Sequence, residues 1–161
     1  MRKMQRTALL PFTAGQLYDL VNDVDAYPEF LPWCRSARVD SRSKTEMVAT
    51  LDLALKALHK SFTTRNLLVP GREIHIQLVS GPFRRLRGHW LFDPLETDSM
   101  SGCRVTMQLE FALAGRILEM TAGPILEKVA DSLVDLFSQR ARQVLVTPAS
   151  LSGDPGDADA G

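Results

Sequence analysis

Six apolar residues, Cys103, Val105, Met107, Leu109, Phe111 and Leu113, recur at strict period two opposite Arg104, Thr106, Gln108, Glu110 and Ala112. A backbone that sends alternate side chains to opposite faces is a β-strand, so one whole face of this segment must be covered by another part of the chain. The same alternation runs through Met47, Ala49, Leu51, Leu53 and Leu55. It returns in Ile74, Ile76 and Leu78 after the Pro70-Gly71 turn, and in Leu86, Trp90 and Phe92 after Gly81-Pro82. With Cys34 to Val39 and Phe62 to Leu68 this makes six strands in succession. Their connections are too short for helical crossovers, so neighbours pair antiparallel.

Helical signals flank the strands. Thr13-Ala14-Gly15-Gln16 fits a capping box, with Phe12 and Leu17 placed to staple the entry. Leu17, Leu20, Val21 and Val24 then form one apolar stripe, which predicts a helix from Ala14 to Asn22. Before it, Met4 to Leu10 reads as a first strand. After it, Asp25 is placed to cap a short helical turn through Tyr27 to Phe30 that Pro32 stops. A long amphipathic helix closes the domain from about Gly115 to Val146, with Leu118, Ala122, Leu126, Val129, Leu133 and Phe137 on its apolar stripe. Pro124 predicts a kink or break around Thr121 to Pro124. The expected fold class is α+β: a curved antiparallel sheet of about seven strands wrapped around a long C-terminal helix, with two short helices after the first strand.

The 161 residues suit one domain, and 45% hydrophobic residues are enough to fill its core without disulfides. Residues 147–161 contain three aspartates, three glycines, two prolines and no basic side chain, and read as a disordered acidic tail on a domain spanning 1–146. Formal net charge is +0, which argues against DNA binding driven by bulk charge. Cys34 and Cys103 are too few and too far apart for a zinc half-site or a redox pair, and read as buried, reduced thiols. No apolar run reaches the length of a membrane span, and the apolar stretch after the basic start is too short for a signal peptide. The expectation is a soluble, cytoplasmic protein.

Few residues offer chemistry. His59, His75 and His89 fall on separate strands without the spacing that sets two ligands on one helical face; His75 and His89 can approach across strands but read as polar residues on the solvated sheet face, so no metal is expected. Asp19, Asp23 and Asp25 read as a solvated helix end. No nucleophile motif, dinucleotide loop or phosphate loop is present, so no catalytic residue and no required cofactor are expected. Two segments stand out. Arg84, Arg85 and Arg87 form a basic cluster, readable as an edge protected against aggregation or as a contact for an anionic partner such as ribosomal RNA or a phospholipid surface. Tyr27-Pro28-Glu29-Phe30-Leu31-Pro32-Trp33-Cys34 holds three aromatics between rigid prolines, readable as a pocket mouth or as a stiff corner of core.

That aromatic segment, together with Ser61-Phe62-Thr63-Thr64-Arg65-Asn66 and Gly81-Pro82-Phe83-Arg84-Arg85-Leu86, resembles the coenzyme-Q-binding family of START-like domains within the polyketide cyclase/dehydrase superfamily. The opening Gln5 to Pro11 and Leu20 to Val24 are similar to its bacterial branch of ribosome-association toxins, so the resemblance spans Met4 to Val146. It implies a helix-grip fold with a hydrophobic tunnel for a polyprenyl quinone such as ubiquinone, and a mouth at Tyr27, Pro28, Phe30, Leu31, Pro32 and Trp33. For the bacterial branch it implies binding to the large ribosomal subunit that prevents subunit joining. From the apolar faces, the tunnel wall is expected at Leu51, Leu53, Phe62, Trp90, Met107, Leu109, Phe111, Leu126 and Val129. The leading expectation is a non-enzymatic ubiquinone carrier or chaperone supporting respiration, with bound ubiquinone or another apolar lipid and a peripheral contact with the inner membrane face. The alternative is the ribosome-associating toxin, with Arg84, Arg85 and Arg87 as the contact. Cavity energetics sharpen the first of these. At about 24 cal/mol per Å³ an empty void of ~500 Å³ costs on the order of 12 kcal/mol, so a deep apolar tunnel of that size has to be filled or to collapse.

Overall fold

The computed structural model describes residues 1–56, 58–96 and 101–146; the tail expected over 147–161 lies outside them. Strand β1 (Arg2–Leu10) leads into α1 (Ala14–Asn22) and a 3-10 turn (Val24–Glu29). Then follow β2 (Cys34–Arg42), β3 (Glu46–Leu55), β4 (Leu58–Val69), β5 (Glu73–Ser80), β6 (Phe83–Glu96), β7 (Ser101–Leu113) and α2 (Arg116–Val144). All strand pairs are antiparallel, in the order β1-β7-β6-β5-β4-β3-β2. The meander from β2 to β7 follows from its short connections. β1 adds at the far edge by pairing Arg2 with Phe111 and Leu10 with Cys103. This is the curved sheet gripping a long helix that the alternation and the helical stripe call for.

The local signals act as their chemistry dictates. Thr13 Oγ1 accepts from the Gln16 amide at 3.0 Å and Gln16 Oε1 accepts from the Thr13 amide at 2.9 Å, closing the capping box. Phe12 and Leu17 on either side of it are each 2% exposed. On β3, Met47, Ala49, Leu51 and Leu53 are buried, and on β7 Cys103, Val105, Met107, Phe111 and Leu113 are, as period two requires. Bulges between Cys34 and Ser36, Val39 and Ser41, Thr63 and Thr64, and Phe83 and Arg85 bend the sheet around the helix.

Two local expectations are corrected. Asp25 does not cap the turn after α1; it lies inside that turn, whose N-cap is Asp23 with no side-chain cap bond. The Tyr27 hydroxyl instead donates to the Val21 carbonyl, tying the turn back to the end of α1. Of the kink or break expected around Pro124, the break is absent: α2 runs unbroken from Arg116 to Val144. Met120, whose carbonyl loses its amide partner to Pro124, and Pro124 itself lie on the exposed face, where water can take that carbonyl. Gly123 beside it makes room for Arg2. A Cβ there would come within 2.6 Å of the guanidinium, which pairs with Glu119 and Glu127 at 2.8 Å each and so fastens β1 to α2.

Candidate functional site

The concave face of the sheet, the 3-10 turn and α2 line an apolar, partly open cavity of about 130 Å³. Period two fills its sheet wall: Leu51 and Leu53 from β3, Phe62 from β4, Trp90 from β6, and Leu109 and Phe111 from β7. Leu126 and Val129 line it from α2, while Tyr27, Leu31 and Trp33 line it from the turn and the segment before β2. The cavity brings these residues together.

Four predicted residues lie elsewhere. Pro28 and Pro32 point to solvent, because Leu31 and Trp33 on either side of Pro32 take the inward positions. Phe30 turns toward the helix, in edge contact with Phe137 at 5.2 Å and beneath the Arg140 guanidinium at 5.0 Å, which also pairs with Glu29 at 2.9 Å. Met107, buried in the core cluster, is not among the residues that line the cavity.

Sequence reasoning passed over other wall residues. Val24, Ala130, Leu133 and Phe137 complete the helical side, and Ala49, Ile76, Phe83 and Leu86 the sheet side. Thr64 and Asn66 are the informative omissions, since they are polar, each 7% exposed, and face the cavity from β4. The alternation Phe62-Thr64-Asn66-Leu68 carries them inward, a signal visible only when polar residues are allowed on a buried face. Thr64 Oγ1 donates to Asn66 Oδ1 at 3.1 Å. The indole N–H of Trp33, another wall residue, is buried without a hydrogen-bond partner. The cavity is therefore a greasy space with a small polar patch, suited to an apolar molecule carrying a hydrogen-bonding group.

Size limits what fits. At about 24 cal/mol per Å³ a void of this volume costs about 3 kcal/mol, which a domain can sustain while empty. An apolar cavity of comparable size takes a single aromatic ring. As found, the space accommodates a ring. Gly81, at φ +148°, lets the β5–β6 turn approach the wall, because a Cβ there would lie 2.5 Å from Phe62 Cβ.

Acid–base equipment is sparse among the described wall residues. Tyr27 is the one titratable wall group whose pKa is shifted, pushed up by burial, and its hydroxyl is committed to Val21. Asp19, Asp23 and Asp25 are exposed. Cys34 and Cys103 are buried free thiols, each pushed up to about 11 by burial, and are protonated at neutral pH. Arg84, Arg85 and Arg87 are exposed on β6, the bulge at its start turning Arg84 and Arg85 out together. Among the described residues no helix is long and apolar enough to cross a membrane.

Residues 10–138 match the family described as polyketide cyclase / dehydrase and lipid transport. The chain is 46% identical over 141 residues to the ribosome association toxin RatA of Pseudomonas aeruginosa, covering 88% of this chain and 96% of that one. It is 27% identical to the mitochondrial coenzyme Q-binding protein coq10 of Schizosaccharomyces pombe, covering 83% of each. The solution structure of an 18 kDa protein from Caulobacter crescentus superposes with a TM-score of 0.68 at 32% identity, covering 89% of this chain and 98% of that one.

Proposed function

The chain belongs to the polyketide cyclase / dehydrase and lipid transport family, and from that premise we propose that it is a binding protein of the cytoplasm that associates with the large ribosomal subunit and keeps it from joining the small one. The observation that carries this reading is the 46% identity, over nearly the full length of both chains, to a protein named for ribosome association. Arg84, Arg85 and Arg87 are exposed on β6, an inner strand of the sheet and not the edge that the basic cluster could have protected, and they offer cations to an anionic partner. Removing any one of these cations from a phosphate should weaken association and flatten its salt dependence.

The test is the sedimentation profile of ribosomes incubated with purified protein at rising magnesium. Loss of assembled ribosomes in favour of free subunits is expected, with the triple change Arg84→Glu, Arg85→Glu and Arg87→Glu reducing the effect. Assembled ribosomes unaffected by a molar excess of protein would refute the reading.

The cavity favours a second, compatible reading, in which an apolar molecule with a ring-sized, hydrogen-bonding head occupies it. A quinone head has those properties, and the relationship to the coenzyme Q-binding protein supports it. Solvent extraction of purified protein followed by mass spectrometry should then return a lipid at near-stoichiometric yield. Empty extracts, together with no uptake of added short-chain ubiquinone, would remove it. On either reading the chain acts by binding and not by catalysis, which the names of its relatives support.

A further inference from the structure

On the outer face of the sheet, away from the cavity, three metal-ligating side chains converge. His75 on β5 lies directly opposite His89 on β6. Glu73 precedes His75 by two residues and so falls on the same face. The two imidazoles stack with centroids 4.2 Å apart and planes 15° apart. Both Nε2 atoms rest against one oxygen of Glu73, at 3.1 Å for His75 and 2.9 Å for His89. One ligand atom from each residue fits within a span of 4.8 Å. The side chains are partly exposed, at 44% for His75, 33% for Glu73 and 29% for His89, so an ion can enter without opening the fold. The two histidines border a polar groove of about 240 Å³ that Gln77, Arg87, Gln108 and Glu110 also line.

We propose that Glu73, His75 and His89 form a binding site for a divalent transition-metal ion of the zinc type, with a coordination position left open toward this groove. Two imidazole nitrogens and one carboxylate oxygen are a ligand set that zinc accepts with water in the fourth position, whereas magnesium and calcium call for oxygen ligands throughout. The sheet register supplies the rigidity: two ligands spaced i, i+2 on one strand and a third on its paired neighbour are held by the ladder. Bonds of about 2.0–2.1 Å in tetrahedral geometry set ligand atoms about 3.4 Å apart, so the observed contacts need to widen by only a few tenths of an ångström. The imidazoles must also tilt out of their stack, so that both Nε2 lone pairs meet at one point. In the arrangement described, each Nε2–H donates to Glu73. On binding, each ring presents its Nε2 lone pair and carries its proton on Nδ1. The bound ion adds two positive charges beside Arg87 and joins β5 to β6 through their side chains.

From sequence alone, His75 and His89 read as polar residues of the solvated sheet face without a metal; the β5–β6 register that pairs them directly is what argues for one. Calorimetric titration of the full chain with zinc chloride in a non-coordinating buffer tests the site, with the visible absorption of cobalt(II) as a readout of coordination geometry. One ion per chain is expected at micromolar affinity, weakened about tenfold or more by each of Glu73→Gln, His75→Gln and His89→Gln, whose circular dichroism melts check that they fold. His59→Gln, at an exposed histidine of β4, should leave the titration unchanged. Absence of 1:1 binding at millimolar zinc overturns the proposal. So does binding that survives the His75→Gln/His89→Gln double change, or binding that falls equally with His59→Gln.

Discussion

Asn66 shows how a single side chain divides stability from recognition. It is almost wholly buried in an apolar wall, with Thr64 donating to its carbonyl oxygen, and taking a side-chain amide out of water into such a wall carries a desolvation cost. Asn66→Leu should leave thermal stability equal or raise it by up to about 1 kcal/mol, while weakening uptake of a short-chain ubiquinone about tenfold. Chemical denaturation and ligand titration measure the two effects separately, and a loss of both would assign Asn66 to the fold. Glu119 illustrates the opposite balance. Its Oε2 accepts from the Leu113 amide at 2.8 Å and its Oε1 faces Arg2, and these contacts, the Leu113 amide foremost, hold its carboxyl below the usual range. A depressed folded value means that the charged form stabilises the fold above the unfolded value, about 4.3, and that this stabilisation fades as pH falls through the folded one. The stability gap between wild type and Glu119→Gln should therefore be constant above about pH 5 and close in acid, as urea titrations at stepped pH would show.

Among the elements, α2 carries the clearest conflict between local preference and tertiary demand. Gly123 and Pro124 are poor helix residues, yet the helix passes through them, because Arg2 packs against the glycine while the proline faces water. Packing of Ala122, Leu126, Ala130 and Phe137 into the core outweighs the missing hydrogen bond. Restoring the donor with Pro124→Ala should raise stability by about 1–3 kcal/mol without changing the fold, since no buried partner depends on the ring. A melting temperature that falls would show that the proline stiffens the helix start in some needed way. The paired strands β5 and β6 present the complementary case. Their inner face builds the cavity and their outer face builds the Glu73–His75–His89 cluster, so one register sets two sites at once.

For the whole molecule, the folding unit we propose is residues 1–146. Its end is held by Gln16, whose amide donates to the Val146 carbonyl at 2.9 Å, linking the start of α1 to the chain just past α2. Truncation after Val146 should therefore keep the melting temperature within about 2 °C of the full chain, whereas truncation before Leu145 should lower it, as calorimetric scans would report. Much of this architecture is legible in the linear chain. Period two on Cys103 to Leu113, the capping box at Thr13 and the stripe on α2 are local patterns, and antiparallel pairing follows from short connections. The family likeness likewise rests on segments that can be read in order. What the chain does not state locally is how far apart two buried faces settle. Whether Phe30 and Met107 meet the cavity or the core, and how large the cavity is, depends on side chains from β7, α2 and the 3-10 turn packing together. Strand alternation allows His75 and His89 to approach each other, but that Glu73 joins them at one point in space is not disclosed along the chain, because it requires the β5–β6 register. Periodicity specifies which side of each element is hidden, since backbone geometry alone imposes it. The volume left between hidden sides, and the distances between groups on exposed ones, are properties of the closed packing and exist only once every element is in place.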